Sequence, residues 1–466
     1  MSQDAKFTQG SLMRHVSVMS FTASIGLMAI FIVDFVDMIF ISMLGNAALA
    51  AAIGYAGTIL FFTTSISIGL SIAAGALVAR SLGAGRGEDR GADAREYATS
   101  VLMIGVAVGI ATVVGVWIFS DPLLRALGAT GETLGLAHIY LKIILPSMPV
   151  LMVGMVGGAV LRAHGDARRA MYATLAGGII NAIFDPILIF GLGLDLQGAA
   201  ISSVLARITV AVVSLWPAVR IYRGFAAPQF AILARDARAV IGIAVPAILA
   251  NVATPFSAAI VTREMAKFGT DAVAGMAIIG RLTPVAFAVV FALSGAIGPI
   301  VGQNAGADRP DRVRGAIFAA MQFVTLYVVI TAIILYLCRY WIAGMFEAEG
   351  TTLALVLLFC GPLALSWIFN GWIFVGNASF NNLNHPFYST WINWGRATLG
   401  TWPLATAGAA LYGASGVLIG QALGGVIFAL ISIWLSLRLM AETGAGHHAG
   451  AFQPHMRDHI VTSRRH

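Results

Sequence analysis

Apolar stretches of about 20 residues or more recur along almost the whole 466-residue chain, separated by short polar connectors. A helix needs about 20 apolar residues to cross bilayer hydrocarbon, and runs repeated this closely leave no polar surface for a soluble core to sit under. The runs fall at roughly 15–43, 47–79, 97–119, 137–161, 170–193 and 198–219, then at 239–266, 271–303, 315–346, 351–380, 387–410 and 413–437, which makes twelve. They are far longer than the ten-residue alternating segments of an outer-membrane barrel, so the spans are helical. Composition closes the soluble alternative, because 59% of the residues are apolar and only 11% are charged, against about 25% charged in a soluble domain. Gly and Pro are dispersed through the apolar runs, which excludes a disordered or collagen-like chain. The polar start MSQDAKFTQGSLMRH and the length of the first run predict no cleavable signal. Cys338 and Cys360 lack C-x-x-C spacing and are read as buried structural thiols.

The connector Arg220 to Arg238 is the longest charged one and splits the spans six and six. This gives a first lobe over 1–228, a second over 229–439 and a cytoplasmic tail over 440–466, where His447 and His448 are a weak metal signal. The even-numbered connectors carry most of the bases, among them Arg86, Arg90, Arg168, Arg223 and Arg309, whereas the odd ones offer only Arg125, Lys267 and Arg339. The positive-inside rule then places the even connectors and both termini in the cytoplasm. The halves also echo each other. Gly45 and Gly269 lie 224 residues apart, Gly91-Ala92 and Gly315-Ala316 keep that offset, and Gly198 and Gly416 form a looser pair. Parallel repeats of six spans, related by an axis along the membrane normal, are a transporter architecture with the substrate cavity at the repeat interface. The expected fold is an all-α integral membrane protein of twelve transmembrane helices in two six-helix lobes related by pseudo-two-fold symmetry.

An ionisable side chain within a bilayer is costly and marks a candidate site. Asp34 and Asp37 lie in the first span, i and i+3 on one helix face. Asp185 lies in the fifth span, with Asn181 one turn before it and Pro186 after it. The proline clashes with the carbonyl of residue 182 and loosens the helix beside the acid. A carboxylate in low dielectric prefers to be protonated or cation-bound, so its affinity for H⁺ or Na⁺ can be tied to the side the cavity faces. The alternative is a structural hydrogen bond between helices. Glu264 and Arg263 point about 100° apart and are read as structural. The position matching Asp37 in the second half is Val261, and Asp185 falls opposite the stretch around Pro403, so ion coupling is biased to the first half. Lys142, Arg207, Arg281 and Arg396 are embedded bases that either pair with an acid or snorkel.

The pieces VDMIFISMLGNAALAA, GALVARSLGAG, VLRAHGDARRAMY, NAIFDPILIFGLGLDLQGAAISS, GPIVGQNAGA and PFYSTWINWGRATLGTWPLA, in this order, resemble a multidrug and toxic compound extrusion (MATE) transporter over nearly the whole chain. The resemblance implies two six-helix lobes forming a V and export of organic cations against H⁺ or Na⁺. It maps the family's first-span acid to Asp37, its fifth-span Asn and Asp to Asn181 and Asp185, its sixth-span hydroxyl to Ser203 and its fourth-span tyrosine to Tyr140. Asp37, Asn181, Asp185 and Ser203, with Asp34 beside them, form the expected ion-coupling set and the Na⁺ site if one forms. Tyr140, Asp37 and Asp185 form the expected substrate cavity. Acids confined to the first lobe place the chain nearer the DinF-like branch. Family members commonly carry a first-span proline, and this span has none, only Thr22, Ser24 and Gly26.

The expected function is a cation-coupled multidrug efflux antiporter in the cell inner membrane, with H⁺ the favoured ion, Na⁺ the second and amphiphilic organic cations as cargo. Three charged groups crowded at Asp34, Asp37 and Asp185 favour holding a proton. The alternative is a lipid-linked precursor flippase, which usually has two further spans and several cavity arginines. An enzyme is not expected, since no nucleophile or His/Glu metal motif is present. The net charge of +7 reflects cytoplasmic Arg, so nucleic acid is not expected as a partner. The partners are small organic cations or drugs and membrane lipid, with the chain acting as a monomer and without an organic cofactor.

Overall fold

The computed structural model describes residues 5–44, 46–85 and 91–444, so Gly45, Arg86, Arg90, His447 and His448 lie outside the described residues. The described chain is helical, without strands, and belongs to an architecture of twelve helices in two lobes. In the first lobe these are α1 (Leu12–Met43), α2 (Ala47–Ala84), α3 (Ala92–Ala126), α4 (Gly131–Ala163), α5 (Ala167–Gly191) and α6 (Asp195–Arg220). In the second they are α7 (Phe230–Ala266), α8 (Thr270–Ala286 and Ala288–Gly306), α9 (Pro310–Met345), α10 (Gly350–Cys360 and Trp367–Asn382), α11 (387–411) and α12 (414–444). The twelve spans expected from hydropathy are therefore present, and α3 outruns its apolar run by more than a turn at each end. Side chains such as Leu337, Trp341 and Leu399 stay exposed along the helices, as acyl chains require.

Several helices are interrupted, which apolar runs do not reveal. A 3₁₀ turn at Leu145–Ser147 breaks α4 where Pro146 and Pro149 remove backbone donors. In α8 the break falls at Phe287, three residues after Pro284, and in α10 at Gly361 followed by the 3₁₀ turn Pro362–Ser366. A π-turn, Ile187–Gly191, follows Pro186 in α5. Its counterpart in α11, Arg396–Thr401, precedes Pro403. Both are places where a missing N–H makes the chain swing wide. Gly413, at φ 60°, turns α11 into α12, and the two then pack backbone to backbone at Gly408 and Gly416.

The lobes meet at the end of the bundle that carries the even-numbered connectors. Arg80 of α2 donates to the carbonyl of Asn382 and to the side chain of Asn384, at the α10–α11 connector. Arg235 of α7 pairs with Glu96 of α3 at 2.9 Å, and Ser100 donates to Asp236 at 2.7 Å. The segment before α1 acts as a bolt. The Phe7 N–H donates to Gln303 at 2.8 Å, Gln303 in turn donates to the Ala163 carbonyl at 2.7 Å, and Asn304 and Arg312 both donate to the Phe7 carbonyl. Phe7 itself is 1% exposed. Elsewhere along the spans, by contrast, Asp34, Arg281 and Ser294 are exposed. Charged groups there face water between the lobes, since facing lipid would cost several kcal/mol.

Candidate functional site

The fifth span carries the centre of the site. Asn181 and Asp185 are 6% and 1% exposed and lie one turn apart, so both face α1. The Asn181 Nδ2 donates to Asp37 Oδ2 at 2.8 Å and to Asp185 Oδ2 at 3.0 Å, holding two carboxyl groups from two helices on one amide nitrogen. The two carboxyl groups are within hydrogen-bonding reach of one another. Their other oxygens, Asp37 Oδ1 and Asp185 Oδ1, are buried and have no partner. Two amide hydrogens thus serve four carboxylate oxygens. That deficit is what a proton or a cation fills.

The amide's orientation is fixed from behind, because Ser202 of α6 donates to Asn181 Oδ1 at 3.1 Å. This hydroxyl is one residue earlier than the expected Ser203. The reason lies in how α6 meets α5. Gly198 packs so closely on the π-turn that an added Cβ would lie 2.8 Å from the Leu188 carbonyl carbon, and Ser202, one turn on, shares that face. Ser203 is rotated about 100° away and neighbours the Tyr140 phenol of α4 instead. Tyr140 is 9% exposed, so it is a packed wall between α4 and α6. Of the four groups expected around a Na⁺ ion, Asp37, Asn181 and Asp185 come together and Ser203 lies beside Tyr140. Asn181 turns its N–H groups to the acids and its carbonyl oxygen to Ser202, and Ser203 is elsewhere. Asp34, one turn before Asp37, is exposed and makes no hydrogen bond among the described residues.

Among the described residues Arg207, Arg281 and Arg396 pair with no acid, and Lys142 is exposed. Arg207 donates to the Ile144 carbonyl at 3.2 Å and to Ser147 at 2.8 Å, at the break in α4. Arg281 lies 5.7 Å over the Phe35 ring and 3.4 Å from Met38 Sδ, so it crosses from the second lobe to α1. Arg396 donates to Asn370 Oδ1 at 2.6 Å. Sequence reading also missed Arg162. Its guanidinium lies against Gly158 and Gly295, between the lobes, because residue 162 falls on the last turn of α4 and not in the connector. Glu264 pairs with Lys267 at 2.6 Å, at the odd-numbered end of α7, and not with Arg263. Val261, opposite Asp37 in the repeat, is fully buried in an apolar cluster.

The MatE family model matches residues 23–187 and 246–406, once in each lobe. The FAD transporter of Shewanella oneidensis is 30% identical over 429 residues, covering 90% of this chain and 93% of that protein. The multidrug export protein MepA of Staphylococcus aureus is 24% identical over 379 residues, covering 78% and 80%. Among solved structures, the Vibrio cholerae MATE transporter VcmN in its bent form superposes with a TM-score of 0.86 at 24% identity, over 93% of this chain and 98% of that one. With two matched halves, twelve helices and an acid pair between α1 and α5, the chain belongs to the MatE family: it is a multi-pass membrane transporter and not an enzyme.

Proposed function

We propose that the protein is a proton-coupled antiporter that exports small amphiphilic organic compounds by alternating access, with the even-numbered end in the cytoplasm. The observation that carries this is the Asp37–Asn181–Asp185 group with its two buried, unpartnered carboxyl oxygens. In a low-dielectric site two carboxyl groups this close hold one proton between them, and Asn181 keeps them in place whether or not it is there. A proton arriving on Asp37 Oδ1 or Asp185 Oδ1 removes the negative charge that holds a cationic substrate; departure of the proton on the other side restores it. The N–H groups occupying the space between the acids support H⁺ over Na⁺ as the main ion, with Na⁺ as a second mode at higher pH. Asp34, exposed beside Phe35 and Met38, supplies the attraction for organic cations from the cleft. The multidrug export and FAD transport named for the relatives support export of small organic molecules as the task.

The experiment is substrate release from purified protein. Lowering the pH from about 8 to about 6 without Na⁺ should expel a bound fluorescent cation such as ethidium, and Asp37→Asn should remove the response. Release by Na⁺ alone, with no effect of acid, would falsify the proton assignment.

A further inference from the structure

The second lobe carries a cation with no counter-charge. Arg396 sits on the π-turn of α11, about 14 Å along the helix from Phe387, and its one bond goes to the neutral amide oxygen of Asn370 on α10. Every acid of α7–α12 lies at a helix end or connector, from Asp236 and Glu264 to Glu347 and Glu349, so none reaches it. The Nε and Nη2 atoms of Arg396 make no hydrogen bond among the described residues, and the residue is half-buried. These two atoms form the edge of the guanidinium that grips two oxygens of a phosphate or carboxylate side by side. An ionised group inside a span without a counter-charge is costly and is kept where something binds it.

What lies next to it is aromatic. Trp367, Asn370 and Phe374 share one face of α10, at i, i+3 and i+7. Phe291 of α8 meets Trp367 at 5.4 Å and Phe374 at 5.9 Å, and Phe31 of α1 meets Phe291 at 6.2 Å from the other lobe. Asn370 therefore shares its helix face with two rings of a wall that runs to the seam between the lobes, Trp367 being stacked on Phe287 behind it at 4.7 Å, and its amide oxygen holds the guanidinium on that side.

We propose that Arg396, positioned by Asn370 and flanked by the Phe291–Trp367–Phe374 wall, is an anion subsite of the second lobe that takes the phosphate of a planar aromatic substrate. The inference rests on the transporter reading and names a substrate class for it: aromatic phosphate esters, whose rings lie along the wall while the phosphate takes the free edge of Arg396. The two lobes then divide the work, with ion coupling in the first and anion recognition in the second.

Binding to the purified full-length protein tests this without transport. The probes are riboflavin 5′-phosphate and riboflavin, which differ only in the phosphate, followed by flavin fluorescence. The wild type should bind the phosphate form at least about tenfold more tightly, Arg396→Gln should bring the two affinities together, and Arg396→Lys should keep part of the preference. Asn370→Asp supplies a second route if Arg396→Gln does not fold, because a carboxylate placed against the guanidinium should equalise the affinities with Arg396 still in place. Equal binding of both flavins by the wild type, or a preference that survives Arg396→Gln or Asn370→Asp, overturns the subsite. Acid-driven release of ethidium is read separately, so failure of the antiporter reading and failure of the anion subsite give different results.

Discussion

Alanine at Gly83 or Gly306 should force the lobes apart at the end where they are shut. An added Cβ at Gly83 would lie 2.0 Å from the carbonyl oxygen of Gln303, and one at Gly306 would lie 2.0 Å from that of Arg80. Real Cβ atoms essentially never come closer than 3.0 Å, and the obstacle in each case is backbone, so α2 and the second segment of α8 must part by about 1 Å or more. Overpacking of this kind costs about 1–3 kcal/mol. The cost falls only on the conformation in which these helices touch, because separated lobes leave the methyl in open space. A differential of that size shifts a two-state equilibrium by about 5- to 150-fold towards conformations open at the even-numbered end. The assay is the distance distribution between spin labels at Arg168→Cys and Asp311→Cys, both exposed at that end, in a background without Cys338 and Cys360. Both glycine variants should populate longer distances, while Gly75→Ala, on the same helix with nothing within 4 Å of its added Cβ, should not. Folded Gly83 and Gly306 variants with the wild-type distribution would refute the seam as the closed gate.

Three further outcomes follow from the same geometry. Asp185→Asn should abolish export with stability close to wild type, since an amide can still accept from Asn181, whereas Glu264→Gln, which only frees Lys267 at the odd-numbered end, should leave measurable export; the reverse pattern moves coupling to the second lobe. A cysteine at Gly128, in an odd-numbered connector, should react with an impermeant reagent added to intact cells and one at Asp311 should not, and the opposite labelling inverts the proposed orientation. Asp166, in the α4–α5 connector, caps α5: burial pushes its carboxyl up, but the Arg169 N–H, the Tyr222 hydroxyl and the Arg169 guanidinium outweigh that and hold it below the usual carboxylate range. Its contribution is therefore complete above about pH 4 and lost as pH falls through the lowered value, so thermal melts of Asp166→Ala should show a loss of about 1–2 kcal/mol at neutral pH that vanishes in strong acid; a loss constant with pH would mean that the charge is irrelevant.

The spans were legible because hydropathy depends only on composition along the chain, and α1 and α6 follow their apolar runs to within a turn. That Asp37 belongs with Asn181 and Asp185 came from the family resemblance, and only part of the group could be read from spacing. Helical spacing puts Asn181 and Asp185 on one face, and polar groups in a span need each other. Which serine would close the group was not legible, because rotation of α6 is set by the Gly198 contact with the π-turn, a fact of packing. The bases were hardest to read. Arg162, Arg207, Arg281 and Arg396 look alike in an apolar run, and only the neighbouring helix decides that one meets a carbonyl, one a thioether and one an asparagine. The bolt at Phe7 was also invisible, since a short polar segment gives no sign of its tertiary partner.

The way α1 is held bears on how coupling can work in a helix without proline. Near its start Val16 and Met19 are buried in the second lobe's core with Leu293 and Val313, whereas Ile41 near its end belongs to a first-lobe core with Ile59 and Leu141. Between them Gly26 packs on α5 so tightly that an added Cβ would lie 2.1 Å from Thr174 Oγ1. The helix is unbroken over its 32 residues, so it resists kinking. On the proposed coupling, a proton at Asp37 alters the grip of Asn181 at one end of this rod, and the bolt at Phe7 lies beyond the other end. From Leu12 to Asp37 is about 38 Å of continuous helix. A small tilt or slide of α1 about the Gly26–Thr174 contact would move both ends in concert, without bending. The acid pair and the closed seam are thus joined by one element anchored in both lobes, and on the proposed coupling its close contact with α5 would serve as the pivot of a helix that has no proline to bend at.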